Sequence, residues 1–143
     1  EDLDGLRRLI ETRSIDVGLD ESITSVRDLI SHAALGAAGG SLKTLKLGGM
    51  SGVVGAGQVC QAHGQCINLA GKIAETSIAS AAVIHLAAVL PNVDWGVSPS
   101  QATLKEDITA QPLSPQGGLY RVSQRPGLGV DVDEAAVRRF AFC

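Results

Sequence analysis

Apolar residues along this chain fall into short runs separated by longer stretches with helical spacing. Four of the runs predict strands: Ile15 to Leu19, Ser41 to Leu45, Cys66 to Leu69 and Pro91 to Trp95. The equivalent positions Ile15, Leu42, Ile67 and Val93 follow one another at steps of 27, 25 and 26 residues. Each step is the length of one strand, one helix and two connections, so the pattern reads as four βα units in succession.

The intervening stretches differ in strength as helices. Thr24 to Gly36 sets Val26, Leu29, Ile30, Ala33 and Ala34 at helical spacing and ends on a glycine suited to a C-cap. Ser51 to His63 contains Gly52, Gly55 and Gly57, each costing up to ~1 kcal/mol against alanine in a helix, so irregular first turns are expected. Thr76 to Leu90 is Ala-rich and predicts a helix buried over most of its surface. After Leu104 the pattern changes. Pro112, Pro115, Gly117 and Gly118 mark a loop, Leu119 to Ser123 reads as a strand, and Asp133 to Phe140 as a terminal helix with an acidic first turn. This is not a fifth βα unit. The expected division is a partial barrel over residues 1–110 and a tail over 111–143.

A complete parallel (β/α) barrel takes eight units in ~250 residues, so the expected fold class is α/β, the C-terminal half of a TIM-like barrel plus a tail. Half a barrel leaves two sheet edges unpaired, which the rest of the barrel or another chain must cover.

Composition narrows the function classes. With 45% apolar and 19% charged residues the chain can bury a core, and a net charge of −3 with scattered basic residues offers no footprint for nucleic acid or an anionic membrane. The longest apolar stretch, Ile78 to Leu90, contains His85 and falls short of the ~20 residues that span a bilayer. No basic n-region precedes an apolar h-region at the start, and the expected compartment is the cytoplasm. Cys60, Cys66 and Cys143 are an odd number of cysteines and read as reduced thiols. Cys60, His63 and Cys66 lack the fourth ligand of a structural zinc site.

Parallel barrels keep their chemistry at the C-terminal ends of the strands. Asp20, Lys43 and Asp94 fall at the predicted ends, and Glu75 lies a few residues beyond the third strand. A carboxylate such as Asp20 suits a hard divalent cation, and the alternative is an N-cap or surface acid. A lysine near a cation and partly desolvated has its pKa lowered toward general-base use, which is the reading for Lys43. Lys46 is expected to be a lysine snorkelling on a solvated edge. The glycines from Gly48 to Gly57 run GxxGxG rather than GxGxxG, a weak dinucleotide signal, and a turn approaching the active-site mouth explains Gly48 and Gly49 better.

Asp20-Glu21-Ser22, then 23 residues to Lys43 in Lys43-Thr44-Leu45-Lys46-Leu47-Gly48-Gly49, then Gly71-Lys72-Ile73-Ala74-Glu75, together with Glu106-Asp107-Ile108 and Pro126-Gly127-Leu128-Gly129-Val130, form five ordered blocks. They resemble the C-terminal half of enolase-superfamily enzymes of the muconate-lactonizing and mandelate-racemase type. The resemblance implies barrel strands five to eight, with Asp20 as one ligand of Mg²⁺ (or Mn²⁺), Lys43 as acid/base, and Glu75 as a hydrogen-bonding group near a substrate carboxylate. It also implies removal of a proton α to a carboxylate through an enolate, most simply as an isomerase, with a dehydratase or synthase of the same superfamily as the alternative. The small-molecule substrate would be a carboxylate, and the full protein a homo-oligomer. The family's remaining metal carboxylates and second lysine lie on earlier strands, which makes the missing N-terminal half a required partner. Asp94 and Trp95 are the expected substrate-binding residues, Trp95 offering a cation–π face to an ammonium group. A non-catalytic scaffold keeping the same fold is the reading from another class.

Overall fold

The computed structural model describes residues 2–12 and 14–141; Cys143 lies outside them. Its elements are α1 (Leu3–Glu11), β1 (Gly18–Leu19), α2 (Val26–Ala34), β2 (Gly39–Leu42), α3 (Met50–Ala62), β3 (Cys66–Ala70), α4 (Ser77–Val89), β4 (Val97–Ser98), a 3-10 turn (Gln101–Thr103) and α5 (Glu134–Phe140). The four strands form one parallel sheet in the order β1-β2-β3-β4, each paired with the next in sequence. The four strands expected from the spacing are present, as the C-terminal part of a barrel sheet, but only the first three are followed by an α-helix; a 3-10 turn follows β4.

Strand alternation divides the sheet into two faces. Leu42, Ile67 and Leu69 are almost completely buried and join Ile23, Leu29, Val53, Cys60, Val83 and Leu86 in the core between sheet and helices. Gly39, Ser41 and Lys43 on β2 and its end, with Cys66 and Asn68 on β3, face the other way. Ser41 Oγ donates to Asn68 Oδ1 at 3.1 Å, and Asn68 Nδ2 reaches Ser98 Oγ at 3.2 Å, so a polar row crosses the inner face.

The helices form where the pattern placed them, for local reasons. Ser25 caps α2, accepting from Asp28 N–H while Asp28 accepts from Ser25 N–H, a reciprocal capping box. Gly36, at φ +90°, ends it. The glycines of α3 do not disturb its first turns, and the helix is regular from Met50. Gly48 and Gly49, at φ +77° and +98°, are the turn that admits it. Gly52 and Gly57 serve close approach instead: a Cβ on Gly57 would meet Leu90 Cδ2 at 2.7 Å, and one on Gly52 would overlap the Leu47 carbonyl. Gly52, Gly55 and Gly57 are therefore helix interior, and of the cluster only Gly48 and Gly49 lie in a turn.

Several expectations need correction. Ile15 is exposed and only Gly18–Leu19 of the first run is strand, because β1 has a single neighbour. The fourth strand begins at Val97, not Pro91: Ile67 N donates to Asn92 O and Trp95 N to Ile67 O, but Gly96 at φ +80° breaks the ladder before it becomes regular. Leu119 to Ser123 is not a strand; Gln116 and Leu119 form an isolated bridge around the turn at Gly117 and Gly118. Cys60 and Cys66 are free thiols, and burial pushes the Cys60 thiol up to about 11. Among the described residues no helix is long and apolar enough to cross a membrane.

Two glycines of opposite circumstance test this packing. Gly55 lies in α3 with open space around a built Cβ, so Gly55→Ala should stabilise the fold by about 0.5–1 kcal/mol in urea denaturation. A Cβ on Gly39 would sit 1.9 Å from the Cys66 carbonyl oxygen, so Gly39→Ala should cost about 1–3 kcal/mol in the same assay.

Candidate active site

At the C-terminal end of the sheet, β1 runs directly into Asp20 and Glu21, and β2 into Lys43. Parallel pairing of Gly18 with Gly39 and Leu19 with Gly40 sets the two exits side by side. Lys43 Nζ lies 2.8 Å from Asp20 Oδ1 and 2.7 Å from Glu21 Oε1. Lys46, in the turn after Lys43, reaches back to the same loop: its Nζ is 2.8 Å from Glu21 Oε2 and donates to the Asp20 carbonyl at 3.0 Å. Two lysines and two carboxylates thus close a ring across neighbouring βα loops.

The ring is unevenly buried. The Lys43 side chain is 11% exposed and that of Glu21 is 72% exposed, so the ammonium is enclosed while the carboxylates face outward. Asp20 first and Glu21 second stabilise the Lys43 charge, and together they outweigh desolvation and raise its pKa. This reverses the lowered value expected for a general base. The Glu21 carboxyl, with Lys43 and Lys46 donating to it, is held down at about 2. Lys46 is also corrected: its side chain is 15% exposed and tied to Glu21 and Asp20, not solvated.

Glu75 occupies the loop between β3 and α4, also at the C-terminal end. Its backbone N–H donates to Ser100 Oγ at 3.1 Å, and Ser100 in turn donates to the Lys72 carbonyl. Its Oε2 is buried beside Gly71 with no hydrogen-bond partner among the described residues, an acceptor that normally demands one. Ala74, just before it, takes φ +60°, a left-handed conformation rare for alanine.

Asp94 and Trp95 are not at this mouth. Positions for a Cβ on Gly18 and Gly39, the first residues of β1 and β2, are filled by the Trp95 indole at 2.3 and 3.0 Å. Asp94 sits close enough to Cys66, the first residue of β3, to push its thiol up, behind the larger effect of burial. Both residues therefore belong to the N-terminal floor of the sheet. The structure sets Asp20, Lys43 and Glu75 at the C-terminal end where the strand pattern expected them, adds Glu21, Lys46 and Ser100 beside them, and sets Asp94 and Trp95 at the opposite end. Glu21 was legible as the neighbour of Asp20, and Lys46 as a second lysine one turn from the first.

Among the described residues no three His, Cys, Asp or Glu side chains gather as a metal site, and the Asp20 and Glu21 carboxylates already face ammonium groups. A hard cation takes several oxygen ligands, so this chain alone does not fit one. The Cys60, His63, Cys66 set likewise forms no metal cluster.

Residues 1–136 match the enolase C-terminal domain-like family. The chain belongs to that family. Within the enolase superfamily it is similar to muconate cycloisomerase 1 of Pseudomonas putida, with 34% identity over 139 residues that cover 96% of this chain and 37% of that enzyme. It is 29% identical to the o-succinylbenzoate synthase of Bacillus subtilis (strain 168), covering 98% of this chain and 38% of the relative. The solved muconate lactonizing enzyme from Pseudomonas putida superposes with a TM-score of 0.88 at 31% identity, over 97% of this chain and 39% of that one. The chain therefore spans under two-fifths of the length of these enzymes, the C-terminal part of the enolase-type barrel domain.

The Glu21 carboxyl sets a pH dependence whose sign is fixed. Its folded value, about 2, lies below the ordinary 4.5, so its contribution to stability is fully present above pH 4.5 and fades as pH falls through 2. The stability difference between Glu21→Gln and wild type should be constant above pH 5, shrink below it and vanish only below pH 2, measured by denaturant titration at each pH.

Proposed function

We propose that the chain forms one wall of the active site of a cytoplasmic enolase-superfamily isomerase, which removes a proton α to the carboxylate of a small-molecule substrate and returns it, or protonates the enolate that forms when a ring closes by addition to a double bond. The observation that carries this reading is the enclosed Lys43 ammonium at the end of β2, gripped by two carboxylates from the end of β1. The likeness to muconate cycloisomerase 1 supports isomerisation as the outcome.

An α-proton is weakly acidic, and its removal needs stabilisation of the developing negative charge. Asp20 would give one ligand to a Mg²⁺ or Mn²⁺ ion whose other ligands lie outside this chain, and that ion would supply Lewis acidity. The chain's own residues have the following parts. Lys43, protonated in the ring, is set to deliver a proton to one face of the enolate. In the reverse direction it acts as the base, once the grip of Asp20 and Glu21 on its charge is relaxed. Glu75, whose buried Oε2 has no partner within the described residues, would accept a hydrogen bond from the substrate or from the missing half of the protein. Lys46 holds Glu21 and the Asp20 backbone, so it keeps the loop in place as charges move. Glu21 and Lys46 extend the set of residues from which the site is built.

The full protein should exchange the α-hydrogen of its carboxylate substrate with solvent deuterium, followed by mass spectrometry. Lys43→Ala should slow that exchange by about 10²–10⁴-fold. Exchange that survives the substitution undiminished would remove Lys43 from the chemistry. The 143 residues alone should show no metal-dependent turnover, because their carboxylates do not make a complete cation site; turnover by the isolated chain would contradict the proposal.

A further inference from the structure

The start of α4, two residues past Glu75, is capped from far away in the sequence. Thr76 stands at the N-cap position but makes no side-chain capping bond. A helix start leaves its first N–H groups without partners, and a carboxylate there also meets the positive end of the helix dipole. Asp107 supplies both. Its Oδ2 accepts from Ser77 N–H at 2.9 Å and from Ser77 Oγ at 2.5 Å, and Ser77 is completely buried. Leu113 N–H donates to the same Ser77 hydroxyl at 2.8 Å.

Asp107 is itself fixed by the C-terminal segment. Its Oδ1 accepts from Ile108 N–H at 2.7 Å, and Ile108 O accepts from Asp133 N–H at 2.9 Å, where Asp133 caps α5. Thr109 pairs with Val132, and Arg139 of α5 bonds Glu106 at 2.6 Å. A continuous path of bonds runs from α5 through residues 106–109 to Ser77. The loop carrying Glu75 is thus tied at Gly71, where Gly71 N–H donates to Ser98 O, at Glu75 by Ser100, and at Ser77 by Asp107.

We infer that Asp107 is a positioning residue for Glu75, and that through it the C-terminal segment sets the geometry of the active-site mouth. The inference rests on the proposed role of Glu75 for its effect on rate, but not for its effect on the loop. Bonds at Gly71, Lys72, Glu75 and Ser77 hold the loop against the left-handed conformation of Ala74, and Asp107 supplies the one whose loss frees the end joined to the helix.

The test compares Asp107→Ala, Asp107→Asn and the double variant Asp107→Ala with Thr76→Asp in the full protein, reading amide hydrogen exchange at Glu75 and Ser77, melting temperature, kcat and KM. Asp107→Ala should raise exchange at both amides by about tenfold or more and lower kcat by about 10–100-fold, with KM changed less than about threefold. Asp107→Asn, which keeps an acceptor for Ser77 N–H, should recover part of both. Adding Thr76→Asp supplies a local cap and should restore the melting temperature but not kcat or the slow exchange at Glu75. Restoration of kcat along with stability would reduce Asp107 to a helix cap, and unchanged exchange at Glu75 in Asp107→Ala and Asp107→Asn would overturn the inference. If the wild-type protein turns over no carboxylate substrate, the proposed function fails while the exchange measurement still decides the role of Asp107.

Discussion

Enclosing the Lys43 ammonium at the end of β2 is the constraint around which the site is arranged. A charge that is nine-tenths removed from water needs compensation close by, and here it comes from two carboxylates on the neighbouring strand's loop. That requirement fixes the register of β1 against β2, since a slip of one residue would turn Lys43 toward the apolar core between sheet and helices. It also recruits Lys46, because two carboxylates against one lysine would leave an excess of negative charge. The ring of four is neutral as a whole while its buried member stays positive.

Much of this was legible in the sequence where burial on one face imposed a pattern. Leu42, Ile67 and Leu69 lie on the outward face of β2 and β3, and their spacing located both strands to within a few residues. The helices α2 and α4 were equally readable, one through its helically spaced apolar residues and closing glycine and the other through its uniform apolar surface. The edges were not. β1 and β4 each pair on one side only and are two residues long, so hydrophobic runs overstate them. Helix α1 buries none of its described residues, and its apolar Leu3 and Leu9 stay exposed.

The misplacement of Asp94 and Trp95 has a definite cause. A hydrophobic run ending in Asp-Trp looks like a strand delivering polar groups to a mouth, but Gly96 takes a conformation open to glycine and delays the regular pairing to Val97. The residues before it drop to the floor of the sheet, where the bare surfaces of Gly18 and Gly39 make room for the indole. The protonation of Lys43 was hidden for a different reason. Its pKa is raised by groups that are more than twenty residues away in sequence, and a sequence names such neighbours only after the fold is known.

Every strand of the sheet pairs only with the strand that precedes or follows it in the chain. Each loop closure needed to build the sheet then spans a single βα unit, which keeps the entropic cost of each addition small. Such an order favours growth one unit at a time: Asp20 meets Lys43 when the second strand docks, and the Glu75 loop reaches its final place only after residues beyond β4 have been added. Of the contacts at the mouth, the Asp20–Lys43 pair needs only the first two of these strands, whereas the Glu75 loop needs residues beyond β4.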